Sequence, residues 1–208
     1  MKKLVLFDVD STLINEEVID LIAAHAGVQE EVSKITERAM AGELNFEESL
    51  RARVSFLKNL PISVLQKVSN EISLTEGASD LVNSLQDAGH IVAVVSGGFV
   101  DVITPLMSQL RIHHFKANRF EIQNDLLTGQ VEGEIVGRTT KAEFLCEVAS
   151  MEGVDLENTV AIGDGANDLE MISAAGLGIA FCAKQVLQDA ADIVINKRDL
   201  RLVLKYLN

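Results

Sequence analysis

Short runs of apolar residues such as LVLF and IVAVV alternate with amphipathic stretches along most of the chain. Half-exposed strands alternate apolar and polar residues, and these runs do not. Continuous apolar runs of this kind are typical of parallel strands covered on both faces. We predict strands at residues 4–7, 91–95, 160–162, 178–181 and 193–195. Amphipathic patterns predict helices at residues 78–86, 100–110, 141–151, 169–175, 185–189 and 200–206. This order predicts an α/β fold with a doubly wound, Rossmann-like parallel sheet.

Residues 15–75 break the alternation, because four helical patterns follow one another there without a strand. The insert follows the carboxyl end of the first strand, and α/β proteins bind their ligands at that edge of the sheet. We therefore expect an α/β core at residues 1–14 and 76–208, and a helical-bundle cap at 15–75 that selects the substrate. Turn signals within residues 115–136 predict a short β-hairpin appended near the same edge.

Capping residues and apolar stripes support the helices of the insert. Asn15 is positioned to cap the first helix and Asn45 the third, while Pro61 followed by Ser63 opens the fourth. The second helix has an apolar stripe formed by Val32, Ile35, Ala39 and Met40.

Charge and composition restrict the class of partner. The chain has 18 Lys and Arg residues against 31 Asp and Glu residues, a formal net charge of −13. This balance argues against a general nucleic-acid binder or a protein of anionic membranes, which need a basic surface. With 48% hydrophobic residues, no targeting signal and no long apolar run, we expect a folded cytoplasmic protein with a small-molecule substrate. Since residue 4 already lies in a strand, no regulatory domain is expected before it.

Two aspartates follow the first predicted strand, in the segment FDVDSTL at residues 7–13. Side chains two positions apart on an extended segment point to the same side, so Asp8 and Asp10 would place two carboxylates in one small volume. Carboxylates that close are stable only if one is protonated or a cation neutralises them. A simple Asx-type turn after the strand is the alternative interpretation.

The second predicted strand leads into VVSGG at residues 94–98. Ser96 offers a hydroxyl, and Gly97 and Gly98 allow backbone N–H groups to approach an anion. The same sequence also occurs as an ordinary glycine-rich turn between a strand and a helix.

The third motif, AIGDGANDLEM at residues 161–171, places Asp164 at a strand end and Asn167 and Asp168 at a helix start. A helix N-cap would account for Asp168 but leaves Asp164 unexplained. A dinucleotide-binding G-x-G-x-x-G motif does not fit unless a metal intervenes, because Asp168 occupies the position of the third glycine and would repel a pyrophosphate.

Three strand ends thus bring four aspartates and a Ser-Gly-Gly turn to one sheet edge. Clustered carboxylates require a cation, and an all-oxygen site favours a hard ion such as Mg²⁺. An acidic Mg²⁺ site beside an anion-binding turn indicates phosphoryl transfer. Lys141, at the start of a predicted helix, could supply a positive charge for the phosphate, although an exposed lysine is the simpler interpretation.

Other phosphoryl-transfer signatures are absent from the sequence. Neither cysteine is followed by the arginine of a cysteine-loop phosphatase, since Glu152 and Gln188 stand at that position. There is no Arg-His-Gly triplet and no Gly-Lys-Ser/Thr phosphate loop. We therefore expect the nucleophile to be an aspartate.

The four motifs in this order resemble those of the haloacid-dehalogenase-like phosphohydrolases. The resemblance extends along the whole chain, including the helical insert, to members of that family that act on phosphoserine. It implies that Asp8 is the nucleophile and becomes an aspartyl-phosphate, and that Asp10 is the general acid and then the general base. It further implies phosphate binding by Ser96, Gly97 and Lys141, with Asn167 orienting the phosphate or Lys141. The implied Mg²⁺ ligands are Asp8, the backbone carbonyl of Asp10, and Asp164, with Asp168 supporting them.

The insert also carries charges that bear on the substrate. Arg53 lies seven residues after Phe46 and therefore shares its apolar stripe with Leu50 and Leu57. A buried arginine needs an anionic partner such as a carboxylate, unless its side chain extends past the edge of the insert to solvent. Glu17 borders the apolar face of the first helix, although acidic residues also favour a helix start for their charge alone.

An inward acid and an inward arginine complement a zwitterion, and serine, the leaving group of phosphoserine, is one. The resemblance adds Met40 and Phe46 to Glu17 and Arg53 as the residues that line the amino-acid pocket. We expect Mg²⁺-dependent hydrolysis of O-phospho-L-serine to serine and phosphate, the last step of serine biosynthesis. The alternatives are transfer to an acceptor alcohol such as homoserine, hydrolysis of another small phosphomonoester, and a non-catalytic receiver domain, which would be shorter and lack the paired aspartates.

Overall fold

The computed structural model describes residues 1–207, which form a seven-stranded sheet of order β4-β3-β2-β1-β5-β6-β7. The neighbouring strands are parallel except for the antiparallel pair β3 and β4. The strands are β1 Leu4–Phe7, β2 Ile91–Phe99, β3 His114–Gln123, β4 Leu126–Glu132, β5 Thr159–Gly163, β6 Leu177–Phe181 and β7 Ile193–Ile195. All five strands predicted from the apolar runs are present, and the α/β fold is confirmed.

The central strand β1 explains why the apolar runs are continuous. Its side chains alternate between two hydrophobic cores: Val5 and Phe7 contribute to one, and Leu4 and Leu6 to the other. All four are fully buried, as expected for a strand covered on both faces. One face is covered by α5 (Ala78–Asp87) and α6 (Val100–Gln109), and the other by α7 (Arg138–Glu152), α8 (Leu169–Ala174) and α9 (Gln185–Gln188).

The insert forms the four predicted helices, and of its two predicted asparagine caps one is present and one is not. The helices are α1 Val18–Ala26, α2 Gln29–Met40, α3 Phe46–Ser55 and α4 Ser63–Glu71. Asn45 caps α3 as predicted, since its side chain accepts a hydrogen bond of 3.0 Å from the backbone N–H of Glu48. The prediction that Asn15 caps α1 is wrong, because α1 begins at Val18 and Asn15 instead donates to Ser73 and Leu74.

Two chain segments connect the insert to the sheet, and they are held together side by side. Ile14 and Leu74 form an antiparallel bridge between the segments. Arg198, which follows β7, reaches across and donates to the backbone oxygens of Ser11 and Ile14 and to the side chain of Asn15. Backbone and side-chain hydrogen bonds therefore hold the insert to the core where the two connecting segments lie.

The predicted hairpin is present but is not an appendage. Asn124 and Asp125 both have positive φ angles and form its two-residue turn. Its first strand, β3, continues the main sheet, because it pairs in parallel with β2. Its second strand contacts the insert, since Leu127 exchanges backbone hydrogen bonds with Asn59 and Leu60.

The end of the described chain differs slightly from the prediction. Leu200–Tyr206 forms a 3₁₀ helix instead of an α-helix, and Asp199 caps it by accepting from the backbone N–H of Arg201. None of the helices formed by residues 1–207 is long and apolar enough to cross a membrane.

Candidate active site

Asp8 and Asp10 lie where the central strand β1 ends. The backbone N–H of Asp8 still bonds the oxygen of Ile162 on β5, at 2.9 Å, so the strand register reaches this residue. The next residues turn sharply: Asp10 remains extended, and Ser11 adopts a left-handed conformation with φ of 57°. Both carboxylates are buried and line the same cavity. The structure therefore brings together the two acids that the spacing placed on one side.

The predicted anion-binding turn lies next to them at the end of β2. The Ser96 hydroxyl oxygen accepts a 2.8 Å hydrogen bond from the backbone N–H of Gly98. A Cβ atom at Gly97 would lie 2.6 Å from the ring of Phe46, and one at Gly98 would lie 2.7 Å from a carboxylate oxygen of Asp10. Only glycine allows this backbone to approach the insert and the acids so closely.

Lys141 is fully buried, which excludes the exposed lysine that the sequence left open. Its Nζ donates to Asp8 Oδ1 at 2.5 Å and to Asp168 Oδ1 at 2.6 Å. Burial favours the neutral amine, but Asp168 and Asp8 together outweigh it and hold the pKa of Lys141 above its usual range. The Lys141 ammonium group thus lies between Asp8, which follows β1, and Asp168, in the loop after β5.

Asp8, Asp164 and Asp168 form a buried acidic cluster, with ligand oxygens within 4.8 Å of one another. Burial raises the pKa of Asp8 to about 7, with Lys141 opposing the rise and Asp168 adding to it. Burial also raises the pKa of Asp164, and the nearby charges of Glu17 and Asp8 raise it further. In the absence of a cation, the carboxylates of Asp8 and Asp164 are therefore destabilised in their charged form.

The donor set of this cluster fits a hard divalent cation. Every donor is a carboxylate oxygen, the type that such cations prefer. Asp164 Oδ1 is buried and finds no hydrogen-bond donor among residues 1–207. Asp168 is already engaged, because its Oδ2 accepts from the backbone N–H groups of Asp164 and Gly165. Asp164 and Asp8 are therefore better placed to bind a cation directly, while Asp168 shapes the loop.

Two further buried oxygens at the cavity lack a protein donor within the described chain. These are Asp10 Oδ1 and Asn167 Oδ1. Burial, Glu17 and Asp8 all raise the pKa of Asp10, in that order of size. A carboxyl group whose pKa is raised in this way holds a proton more readily and can donate it to a bound molecule.

The predicted residues of the insert face the acids across the cavity. Glu17, Met40, Phe46 and Arg53 line this cavity together with Asp8 and Asp10. Glu17 accepts a 2.7 Å hydrogen bond from the hydroxyl of Ser11. Burial raises the pKa of Glu17, and this hydrogen bond opposes the rise.

Arg53 is 3% exposed, so its side chain does not extend to solvent. Its Nε donates to the backbone oxygen of Ser49 at 3.2 Å, and Nη1 donates to the hydroxyl of Thr36 at 3.1 Å. Its guanidinium carbon lies 5.9 Å from the centre of the Phe46 ring. Within residues 1–207, no carboxylate oxygen comes within 4.0 Å of a guanidinium nitrogen of Arg53. The Arg53 guanidinium thus lines the cavity with some of its N–H donors unused.

Two residues of this region are absent from the sequence predictions. Asn118 on β3 is buried; it donates to the oxygen of Gly97 and accepts from the N–H of Val136, both at 2.8 Å. It shares a strand face with the buried Phe120, so strand alternation could have indicated it. Thr36 occupies the buried position on α2 that was assigned to Ile35, which is only half-buried.

The family follows from a comparison with known proteins. A model of the haloacid dehalogenase-like hydrolase family matches residues 5–173. This range contains the three strand ends, the helical insert and Lys141. The chain belongs to the haloacid dehalogenase-like hydrolases, as its motifs suggested.

Individual relatives are similar along the whole chain. The chain is 53% identical over 206 residues to phosphoserine phosphatase of Methanocaldococcus jannaschii, covering 99% of this chain and 98% of the relative. A solved structure described as a substrate-bound phosphoserine phosphatase complex has a TM-score of 0.98 and 52% identity, covering 100% of this chain and 99% of the other. Another, described as a phospho-aspartyl intermediate analogue of phosphoserine phosphatase, has a TM-score of 0.97 and 53% identity with the same coverage.

Proposed function

We propose that this protein hydrolyses O-phospho-L-serine to L-serine and inorganic phosphate through an aspartyl-phosphate at Asp8, the last step of serine biosynthesis. The observation that carries the proposal is the cavity itself. The paired aspartates form one wall, and an acid and an arginine, Glu17 and Arg53, form the wall opposite. The similarity to phosphoserine phosphatases over the whole chain supports the same substrate.

In the first step, a carboxylate oxygen of Asp8 attacks the phosphorus atom. The bond between phosphorus and the serine oxygen breaks, and Asp10 donates its proton to that oxygen as it leaves. In the second step, Asp10 accepts a proton from a water molecule that attacks the phosphorus. The bond to Asp8 then breaks, and inorganic phosphate and the free Asp8 carboxylate are released. The different pKa environments of the two acids support these different roles.

The phosphate would be bound by Ser96, Gly97, Lys141 and Asn167. Lys141 supports this role because it is charged, buried and already in contact with the nucleophile. Asn167 lines the cavity, and its amide can donate to a phosphate oxygen or help to orient Lys141. Lys141 and Ser96 are already held by hydrogen bonds with Asp8, Asp168 and Gly98, and such fixed groups lower the cost of stabilising charge in the transition state.

We also propose that Mg²⁺ is the cofactor, held by Asp8, the backbone carbonyl of Asp10, and Asp164, with Asp168 supporting the loop. When bound, the cation would offset the repulsion between the acids and a dianionic phosphate. The fit of the all-oxygen donor set and the unpaired oxygen of Asp164 support this assignment.

Residues 15–75 would act as a substrate-selecting cap on a core made of residues 1–14 and 76–208. Glu17 is proposed to bind the amino group of the substrate and Arg53 its carboxylate, while Met40 and Phe46 contact the carbon atoms between them. Phe46 already lies against Gly97, so the cap closes the cavity directly above the proposed phosphate site. The cytoplasmic location expected from the sequence stays a prediction.

The proposal is tested by measuring serine and phosphate release from L-phosphoserine, with Mg²⁺ and with EDTA. We expect equal amounts of both products, no turnover in EDTA, and recovery when Mg²⁺ is restored. Serine release that requires an added alcohol, with the phosphoryl group found on that alcohol, would indicate a transferase instead. Absence of Mg²⁺-dependent turnover on L-phosphoserine would refute the proposed function.

A further inference from the structure

The position of Arg53 depends on a hydroxyl group inside the cap. Thr36 is 4% exposed, and its oxygen accepts from Arg53 Nη1 at 3.1 Å. The same hydroxyl lies 2.8 Å from Asp20 Oδ1 and 3.2 Å from the backbone oxygen of Val32. A hydroxyl has one proton and two lone pairs, so it can donate to Asp20 while it accepts from Arg53. The shorter contact to a charged acceptor favours Asp20 over Val32 as the partner of the proton.

This arrangement separates Arg53 from Asp20, a carboxylate of its own helix bundle. A direct pair between Asp20 and Arg53 would use two N–H groups of the guanidinium in a bidentate contact. Instead, Thr36 lies between them, and Ser33 donates to the other oxygen of Asp20 at 2.7 Å. Both oxygens of Asp20 thereby accept from hydroxyl groups, but only the hydroxyl of Thr36 also contacts Arg53.

The same contacts fix the plane of the guanidinium. Nε is held by the backbone oxygen of Ser49 and Nη1 by Thr36, so two points on the group are fixed. Of the five N–H groups of an arginine, three are then left without a protein partner in the described chain. Because Arg53 lines the cavity, these donors are available there to a bound carboxylate.

We propose that Thr36 is a specificity-determining positioning residue. Its hydroxyl orients Arg53 toward the carboxylate of the substrate and keeps Asp20 from pairing with the Arg53 guanidinium. The inference rests on the proposed function, in which Arg53 binds the carboxylate of phosphoserine. Thr36 lines a neighbouring cavity and not the central one, and its hydroxyl bonds Arg53, Asp20 and Val32, none of which is an acid of the core. Its removal should therefore affect recognition of the carboxylate and leave the phosphoryl chemistry intact.

The experiment compares Thr36→Val with the unchanged protein on phosphoserine and on phosphoethanolamine, which has the same phosphate and amine but no carboxylate. Valine keeps the shape of threonine and removes the hydroxyl. We expect the KM for phosphoserine to rise about tenfold, the loss of roughly one charge-assisted hydrogen bond, with kcat changed less than about twofold. The kcat/KM for phosphoethanolamine should stay within about twofold of the unchanged protein.

Two matched variants separate the hydroxyl from general packing effects. Thr36→Ser restores the hydroxyl and should recover the low KM for phosphoserine. Ser33→Ala removes the other hydrogen bond to Asp20 and leaves the Thr36–Arg53 contact, so it should change neither substrate appreciably. If Thr36→Val does not fold, as judged by circular dichroism, Asp20→Ala removes the acceptor of the Thr36 proton and should give a smaller rise that is again confined to phosphoserine.

Several results would overturn the proposal. These are an equal loss on both substrates in Thr36→Val, an unchanged KM for phosphoserine, and a failure of Thr36→Ser to recover it. They differ from a failure of the proposed function, in which the unchanged protein itself would not hydrolyse phosphoserine. An active enzyme with an unselective Thr36→Val variant would refute the role of Thr36 alone.

Discussion

The two walls of the cavity are built in different ways. The core wall consists of Asp8 and Asp10, and behind the cavity lining Lys141 contacts Asp8 and Asp164 belongs to the same acidic cluster. Strand ends and one helix start set the backbone positions of these four residues. Its charged groups contact one another directly, as Lys141 does with Asp8 at 2.5 Å. The cap wall consists of Glu17 and Arg53, which are held through the hydroxyl groups of Ser11 and Thr36.

This difference indicates a division of labour. Direct ion pairs on the core wall give a fixed field for a phosphoryl group, and every phosphomonoester needs that field. Hydroxyl groups on the cap wall orient the charges without neutralising them, so the charges remain available to an amino acid. Changes to the core wall should therefore affect all substrates alike, and changes to the cap wall should affect substrates according to their amine and carboxylate.

The largest effect is expected at the nucleophile. Asp8→Asn should lower turnover on every phosphomonoester by roughly 10⁴-fold or more, because the amide cannot form the phosphoryl-enzyme. Rapid quench with ³²P-labelled substrate should find no covalent label on the variant and a transient label on the unchanged protein. Retention of label by Asp8→Asn would assign the nucleophile to another residue.

A smaller but equally unselective effect is expected at the buried lysine. Lys141→Met keeps an unbranched side chain that is one atom shorter, and it removes the charge that Asp8 and Asp168 share. We expect kcat/KM to fall by about 10³-fold on phosphoserine and on phosphoethanolamine alike. Steady-state kinetics on both substrates provide the measurement, and a loss confined to phosphoserine would contradict the division between the walls.

On the cap wall, Arg53→Ala should be selective. We expect kcat/KM for phosphoserine to fall by about 10²-fold, the effect of losing a charged, buried partner of the substrate carboxylate. Phosphoethanolamine should lose less than about threefold, since it has no carboxylate to bind. Arg51→Ala is the matched control, because Arg51 is exposed on the same helix and should leave both rates unchanged.

The smallest of these effects is expected at Asn118, which ties Gly97 to the segment before α7. Asn118→Asp keeps the acceptor for Val136 and loses the donor to Gly97. We expect kcat/KM to fall by about tenfold on both substrates, because the turn proposed to bind the phosphate loses one fixed point. Asn118→Asp should affect both substrates alike, and Thr36→Val should affect phosphoserine alone. The pair therefore tests whether a positioning residue affects the same substrates as the wall that it supports.

The core wall was accessible from the sequence because its residues occur in short motifs at strand ends. The spacing of Asp8 and Asp10 and the apolar strands before them place both acids at one edge without knowledge of the rest of the chain. Lys141 was harder to assign, since its burial depends on how α7 packs beneath the acids. Arg53 was found by helical periodicity, which places it on an apolar stripe.

Other features depend on contacts between distant segments, which periodicity does not show. Thr36 is inward although it is polar, because Asp20 and Arg53 satisfy its hydroxyl. Asn15 stands where a helix cap was expected, but its side chain instead donates to Ser73 and Leu74, in the segment that leads from the insert back to the core. The hairpin was expected as an appendage, and only the parallel pairing of β3 with β2 makes it part of the sheet.

The division between the walls is tested most directly by one ratio, kcat/KM for phosphoserine divided by that for phosphoethanolamine, measured side by side in Lys141→Met and Arg53→Ala. We predict that Lys141→Met leaves the ratio within about twofold of the unchanged protein, although both rates fall steeply. Arg53→Ala should lower the ratio by at least about 30-fold. A ratio that changes to the same extent in both variants would contradict the account.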